Sequence, residues 1–307
     1  MTYRARFWSV VRCYPTADGL VWFKENNPGH RFEAGLVAAL SELAESSAAR
    51  LGDLASYGVI VPLAVDRERG RMLTDDCGPT LTHADVEDQP TRRIVVQALA
   101  RLQCAVLGRI EPEDHPGMIE LPPTSAGNHV RAIAREWSTL QPIHPLRTEP
   151  DVLVRAERAA DVLDQRTASL SDSVPLDVEF NDVYPANIFA DRSTGVLRPR
   201  FFDFGNALWA HPFVTLHGFL DAVVEWNCAP LSHEDREELL DIYLAVWRER
   251  LDADPAVLRR DLDVTEALVG VHRLVSWSRL IPYADELELR TRAEIPLKYL
   301  ATTCAIR

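Results

Sequence analysis

The chain has only five cysteines in 307 residues, at positions 13, 77, 104, 228 and 304, and no two stand close enough for a CxxC pair. That spacing speaks against a disulfide framework and a cysteine-held zinc module, and it favours a reducing compartment. No apolar run approaches the ~20 residues that cross a bilayer, and "MTYRARFWSVVRCY" has no apolar signal core behind its basic residues, so a cytoplasmic protein without a membrane partner is expected. Basic residues are scarce as well: 33 stand against 46 acids, a formal net charge of −13. Such a balance repels phosphate backbones and anionic lipid, which makes nucleic acid an unexpected partner and mildly favours cationic small molecules. His211, His217, His233 and His272 lie in no G-x-S-x-G elbow or H-E-x-x-H helix, so a hydrolase has no support. Internal repeats and low-complexity tracts are also missing.

What is present divides into two kinds of pattern. Residues 7–24 read as a hairpin, because "FWSVVRCY" and "LVWFKE" are rich in β-branched and aromatic residues around the turn "PTADG". In "RFEAGLVAALSELAESSAARL", Phe32, Leu36, Leu40 and Leu43 fall at helical spacing, which places Glu33 in the first turn of an amphipathic helix. "VIVPLAVDRERGRMLTDD" reads as two further strands around "DRERG", so a small sheet lobe is expected to end near residue 77. Beyond it the pattern is mostly helical, with helices near 91–108, 126–139, 151–169, 213–227, 233–250 and 256–281 and a start signal in "SHED". The expectation is an α+β fold with an N-terminal lobe over 1–77 and a helical lobe over 78–307.

Two apolar runs carry lone polar residues. In "LDVEFNDVYPANIFA", Asp182 and Asn187 flank "VYPA", where Pro185 interrupts a ladder and makes a tight loop. "RPRFFDFGNALWAHPF" holds Asp203, followed by Gly205, whose conformational freedom is expected to turn the chain. A carboxylate on such a loop can accept a proton from an attacking hydroxyl, and an amide oxygen five residues on can reach a divalent cation beside it. Each acid alone also fits a turn former or a helix cap. Together with a lysine on a strand and a glutamate on the next helix, they compose a candidate magnesium-phosphate site.

These residues carry a family resemblance. "FNDVYPAN" and "FFDFGNA" resemble the "HGDxHPxN" loop and "DWGD" turn of the aminoglycoside phosphotransferase-like kinases, which include choline and other small-molecule kinases and share the two-lobed protein-kinase-like fold. The likeness extends to "GLVWFK", "FEAGLVAAL", "PLAVDRERGRMLTDDCGPTL" and "AHPFVTL", over roughly residues 7–220. It implies ATP and Mg2+ as cofactors and a hydroxylated small molecule as the acceptor. It further implies Asp182 as catalytic base, Asn187 and Asp203 as magnesium ligands, and Lys24 on the ATP phosphates, positioned by Glu33. Glu25 competes as a lysine partner, but neighbouring strand residues point to opposite faces, which favours Glu33. The backbone of Leu73, Thr74, Asp75 and Asp76 would form the adenine-binding hinge. Asp221 and Glu225, four apart on one helix face, are candidates for gripping an amine; a solvated acidic face explains them equally simply.

The chain departs from that pattern at Phe180 and Tyr184, which stand where the family usually has histidines, and at Asn206, which replaces a common acid. "MTYRAR" offers no glycine for a phosphate-covering loop, so either Arg4, Arg6 and Ser9 supply phosphate contacts by side chain or nucleotide binding is weak. These departures support an alternative, a catalytically impaired pseudokinase that binds a ligand or partner. Only "NALWAH" separates Gly205 from Pro212, too little for a peptide-presenting activation segment.

Overall fold

The computed structural model describes residues 3–51, 57–227 and 229–306, so Cys228 lies outside the described residues. Strands β1 (Tyr3–Arg6), β2 (Ser9–Thr16) and β3 (Gly19–Asn26) form two consecutive antiparallel hairpins. Gly19 supplies a φ of 135°, a region closed to side-chain-bearing residues, and Thr16 Oγ1 donates to the Gly19 carbonyl at 2.9 Å to close that turn. Helix α1 (Glu33–Leu51) follows and buries Leu36, Val37 and Leu40 completely. A two-residue strand β4 (Gly58–Val59) precedes β5 (Pro62–Asp66) and β6 (Arg71–Asp75), and the five-stranded sheet runs β1-β2-β3-β6-β5. The sheet therefore has one strand more than the sequence pattern suggests. Residues 3–6 pair with β2 in a register, Arg6 opposite Ser9, that leaves Phe7 and Trp8 as a two-residue turn.

The remainder is mostly helical. Helices α2 (His83–Glu87) and α3 (Gln89–Val106) lead to β7 (Ile119–Leu121), α4 (Ala126–Ser138) and α5 (Pro150–Thr167). Strands β8 (Asp177–Glu179), β9 (Ile188–Asp191), β10 (Arg198–Phe201) and β11 (Leu208–Ala210) follow, then α6 (Val214–Asn227) and α7 (His233–Arg250). Ser232 caps α7 by accepting the Asp235 N–H at 3.0 Å, as the "SHED" signal implies. The short strands build two small sheets, β4-β10-β9 and β7-β11-β8, which bracket the segment between β8 and β11.

The helix expected over 256–281 is two helices, α8 (Pro255–Thr265) and α9 (Val269–Leu280), joined by a 3-10 turn at Glu266–Leu268. The cause lies in packing. Leu258 and Leu262 enter the apolar core that contains α3 and α7, whereas Leu268, Val271, Leu274 and Val275 enter a second core with α4 and α5. One straight helix cannot aim both stripes, and the 3-10 turn re-aims the chain between them. Helices α10 (Glu286–Arg292) and α11 (Glu294–Thr303) complete the fold, α11 lying close to α9 where Gly270 leaves space beside Thr303. Among the described residues no helix is long and apolar enough to cross a membrane.

Candidate active site

Alternation along β3 sends Lys24 toward α1 and Glu25 to the other face of the sheet. Lys24 Nζ lies 2.8 Å from the Glu33 carboxylate, while Glu25 pairs with Arg71 at 2.7 Å. The preference for Glu33 over Glu25 thus matches the geometry. Glu33 is buried at the start of α1, and Asn26 Nδ2 donates to its second oxygen at 2.8 Å. Lys24 Nζ also donates to Asp203 Oδ1 at 2.6 Å, which joins β3, α1 and the segment after β10 in one chain of contacts. Burial opposes the Lys24 charge, but the carboxylates of Asp203 and Glu33 outweigh it and hold the ammonium above its ordinary range. Burial likewise pushes the Glu33 carboxyl up, against the pull of Lys24.

Asn187 and Asp203 leave the same end of a strand pair. Ile188 stands opposite Phe201 in the β9/β10 ladder, and Phe202 N–H donates to the Asn187 carbonyl at 3.2 Å one step further out. Asn187 Nδ2 donates to the Asp182 carbonyl at 3.1 Å, which commits its amide nitrogen and leaves its amide oxygen as the uncommitted end. Among the described residues no three His, Cys, Asp or Glu side chains cluster as a metal site. One amide oxygen and one carboxylate suit a magnesium ion that completes its shell with phosphate oxygens and water.

The turn at Asp203 works differently from the sequence expectation. Asp203 itself takes the left-handed conformation, φ 66°, while Gly205 sits in a 3-10 turn. Gly205 matters because a Cβ there would lie 2.6 Å from His30 Nδ1 and 3.0 Å from His30 Cγ. The His30 ring is buried, and burial, with Arg279 and Lys24 nearby, outweighs the neighbouring Asn206 side chain and holds the ring well below the usual histidine range. Arg279 donates to the Gly205 carbonyl at 2.7 Å and lies over the Phe32 ring at 4.8 Å, which ties the turn to α9.

Asp182 sits on a loop wound by three close backbone contacts: Asp182 N–H to the Phe180 carbonyl, Tyr184 N–H to that of Asp182, and Asn187 N–H to that of Tyr184, at 2.6, 2.9 and 2.7 Å. Asn206 Nδ2 donates to Asp182 Oδ2 at 3.0 Å, and Arg273 Nη1 from α9 donates to Oδ1. Each carboxylate oxygen retains acceptor capacity toward a third donor. Phe180 is buried edge-on against Phe204, ring centres 5.1 Å apart. Asn181 adopts φ 57°, a conformation asparagine tolerates better than most residues, and donates to the carbonyls of Asn206 and His272. Glu179, Asn181, His272, Arg273 and Arg279 were not singled out from sequence for this site. The available signals were an acid inside an apolar strand in "LDVEF" and basic residues threaded through the apolar helix "VHRLVSWSRL", which by pattern resembles plain core.

Other predicted residues fall nearby with altered detail. Leu73 and Thr74 are flanked by β3 and β5, so their peptide groups face ladder partners, and Asp75 lies opposite Val21 alone. Asp76 lies past the last rung, its N–H on the Leu20 carbonyl at 3.2 Å. Glu225 is met by Lys298 at 3.5 Å. The Asp221 carboxyl is pushed up by surrounding protein, with Arg236 and Arg273 opposing and Glu266 and Glu225 reinforcing the shift. Arg4 and Arg6 are exposed on β1, and Ser9 is buried at the start of β2. The Phe7–Trp8 turn reaches α9: Trp277 lies 6.2 Å from Phe7 and 5.7 Å from Trp8 between ring centres, and Arg292 stands over Trp8 at 4.8 Å.

No protein-family model and no curated protein matches the chain. Solved structures do match in fold. An ethanolamine kinase from Plasmodium vivax superposes with a TM-score of 0.62 at 11% identity, over 99% of this chain and 81% of that one. An amicoumacin kinase solved with AMP-PNP, Ca2+ and Ami gives 0.58 at 14% identity, over 98% and 88%. A spectinomycin phosphotransferase solved with ADP and spectinomycin gives 0.54 at 9% identity, over 98% and 92%. The fold is that of the choline/ethanolamine kinases and aminoglycoside phosphotransferases, an α+β arrangement of the protein-kinase-like type.

Proposed function

We propose that the chain is an ATP- and magnesium-dependent phosphotransferase that moves the γ-phosphoryl group to a hydroxyl of a small molecule, with residues 1–77 holding the nucleotide and 78–307 the acceptor. The observation that carries this reading is the linkage of Lys24 to both Glu33 and Asp203, beside a loop that presents Asp182. The nucleotide complexes among the structural neighbours support it.

In this reading Lys24 meets the ATP phosphates while Glu33 holds it from behind. The Asn187 amide oxygen and the Asp203 carboxylate hold magnesium, which when bound neutralises charge on the phosphates. Asp182 accepts the acceptor's hydroxyl proton as that oxygen bonds to the γ-phosphorus. The bond from phosphorus to the ADP oxygen breaks, and ADP leaves with the electron pair. The adenine edge is met by backbone at Asp75 and Asp76, at the end of the ladder, since Leu73 and Thr74 lie within it. Asp221 and Glu225, on α6, are the candidates for an acceptor's amine.

Calorimetric titration with ATP, with and without magnesium, tests the reading. Magnesium-dependent binding that disappears in Asp203→Ala is the expected result, followed by phosphoryl transfer to a hydroxylated compound in a screen led by amines. Absence of nucleotide binding in the wild type refutes it. The glycine-free aromatic turn at Phe7–Trp8 favours a second reading, a ligand-binding protein without turnover, which binding without any phosphoryl transfer would support.

A further inference from the structure

Helix α9 contacts the Asp182 loop through two successive residues. His272 Nδ1 lies 3.0 Å from Glu179 Oε2, with both side chains fully buried. A carboxylate only accepts, so the hydrogen is assigned to His272 Nδ1. Glu179 Oε1 in turn accepts the Asn181 N–H at 2.7 Å and the Thr215 hydroxyl at 2.9 Å, and Thr215 Oγ1 accepts the Phe180 N–H at 3.1 Å. The next residue, Arg273, donates to Asp182 Oδ1. The loop's own Phe180 contributes no polar group and is spent on Phe204. The backbone N–H groups of Phe180 and Asn181 are therefore held by Thr215 and Glu179, and α9 holds Glu179.

We propose that His272 and Arg273 are positioning residues for phosphoryl transfer: α9 clamps Glu179 with one and Asp182 with the other, and so orients the carboxylate that receives the acceptor's proton. The inference rests on the phosphotransferase reading. Arg273 sets the direction of one Asp182 oxygen and Asn206 that of the other, which fixes the carboxylate plane while leaving acceptor capacity on both oxygens. Neither residue touches Lys24, Glu33 or Asp203, so nucleotide binding and carboxylate orientation are separable.

The test uses the full chain and magnesium-ATP, with water as the phosphoryl acceptor and phosphate release as the readout. Arg273→Ala is expected to lower kcat about 10²-fold or more, matching Asp182→Asn, with the magnesium-ATP dissociation constant changed by less than about twofold. Free guanidinium ion at sub-denaturing concentration restores part of the kcat of Arg273→Ala and none of that of Asp182→Asn. His272→Gln, which keeps a donor for Glu179, retains more activity than His272→Leu. The proposal is overturned if Arg273→Ala leaves kcat unchanged, if kcat and nucleotide affinity fall together without guanidinium rescue, or if hydrolysis ignores both Arg273→Ala and Asp182→Asn. A wild-type protein that neither binds nor hydrolyses magnesium-ATP refutes the phosphotransferase reading itself, and this inference with it.

Discussion

Gly205→Ala isolates one packing constraint in the candidate site. The backbone of Gly205 lies in a 3-10 turn with ordinary φ, so alanine meets no conformational penalty there. It meets the His30 ring instead, with three ring atoms 2.6 to 3.1 Å from the added Cβ. That ring is 2% exposed, and the His30 backbone N–H is held by the Asn27 side chain at 3.1 Å, so the residue has little room to withdraw. Overpacking of this kind costs about 1–3 kcal/mol. With an unfolding entropy near ~2.1 cal/mol/K per residue over the chain, the expected fall in Tm is about 2–5 °C. A second background makes the cause specific: in His30→Ala the same substitution has room, and its cost should drop below about 0.5 kcal/mol. Scanning calorimetry of the four proteins gives the coupling directly. An equal Tm fall in both backgrounds, or none in either, would refute the clash as the reason for glycine.

Three further outcomes follow from the same geometry. Lys24→Met removes the cation shared by Glu33 and Asp203 and is expected to weaken magnesium-ATP binding about tenfold or more, about 1.4 kcal/mol, by calorimetry; unchanged affinity removes Lys24 from the site. Asp182→Asn is expected to lower transfer about 10²–10⁴-fold with nucleotide affinity nearly intact, and equal turnover would assign proton acceptance elsewhere. Asp177, buried and accepting the Gly108 and Val178 N–H groups, has its carboxyl pushed up to about 6 by burial. Its folded form favours the proton, so its contribution to stability is complete below about pH 4 and is lost as pH rises through about 6, about 3 kcal/mol in all. Asp177→Asn should flatten that part of the stability profile, and an unchanged slope in chemical denaturation between pH 4 and 6 refutes the assignment.

The legible part of this molecule was the part written in local pattern. Lys24 on a strand, Glu33 in the first helical turn and the acids at strand ends each follow from alternation, helical period and turn chemistry, and the structure brings Lys24, Glu33 and Asp203 into contact. Contacts made across long separations were not legible. "VHRLVSWSRL" has the period of a core helix, and only the fold shows that His272 and Arg273 face Glu179 and Asp182, 93 and 91 residues earlier. The strand at Tyr3–Arg6 was missed for a different reason: its partner's register, rather than its own sequence, makes it a strand. Gly205 was credited with a turn that Asp203 makes, since close approach by His30 leaves no trace in the local sequence.

The meeting of Phe7 and Trp8 with Trp277 has an optical consequence. Two indoles 5.7 Å apart at an interplanar angle of 74°, contributed by opposite ends of the chain, are close enough for their excited states to couple. Their near-ultraviolet circular dichroism is then a built-in gauge of whether the first hairpin rests on α9. A ligand that lifts the hairpin changes that band without any label, and Trp277→Phe silences it while leaving an aromatic ring for the tip to rest on.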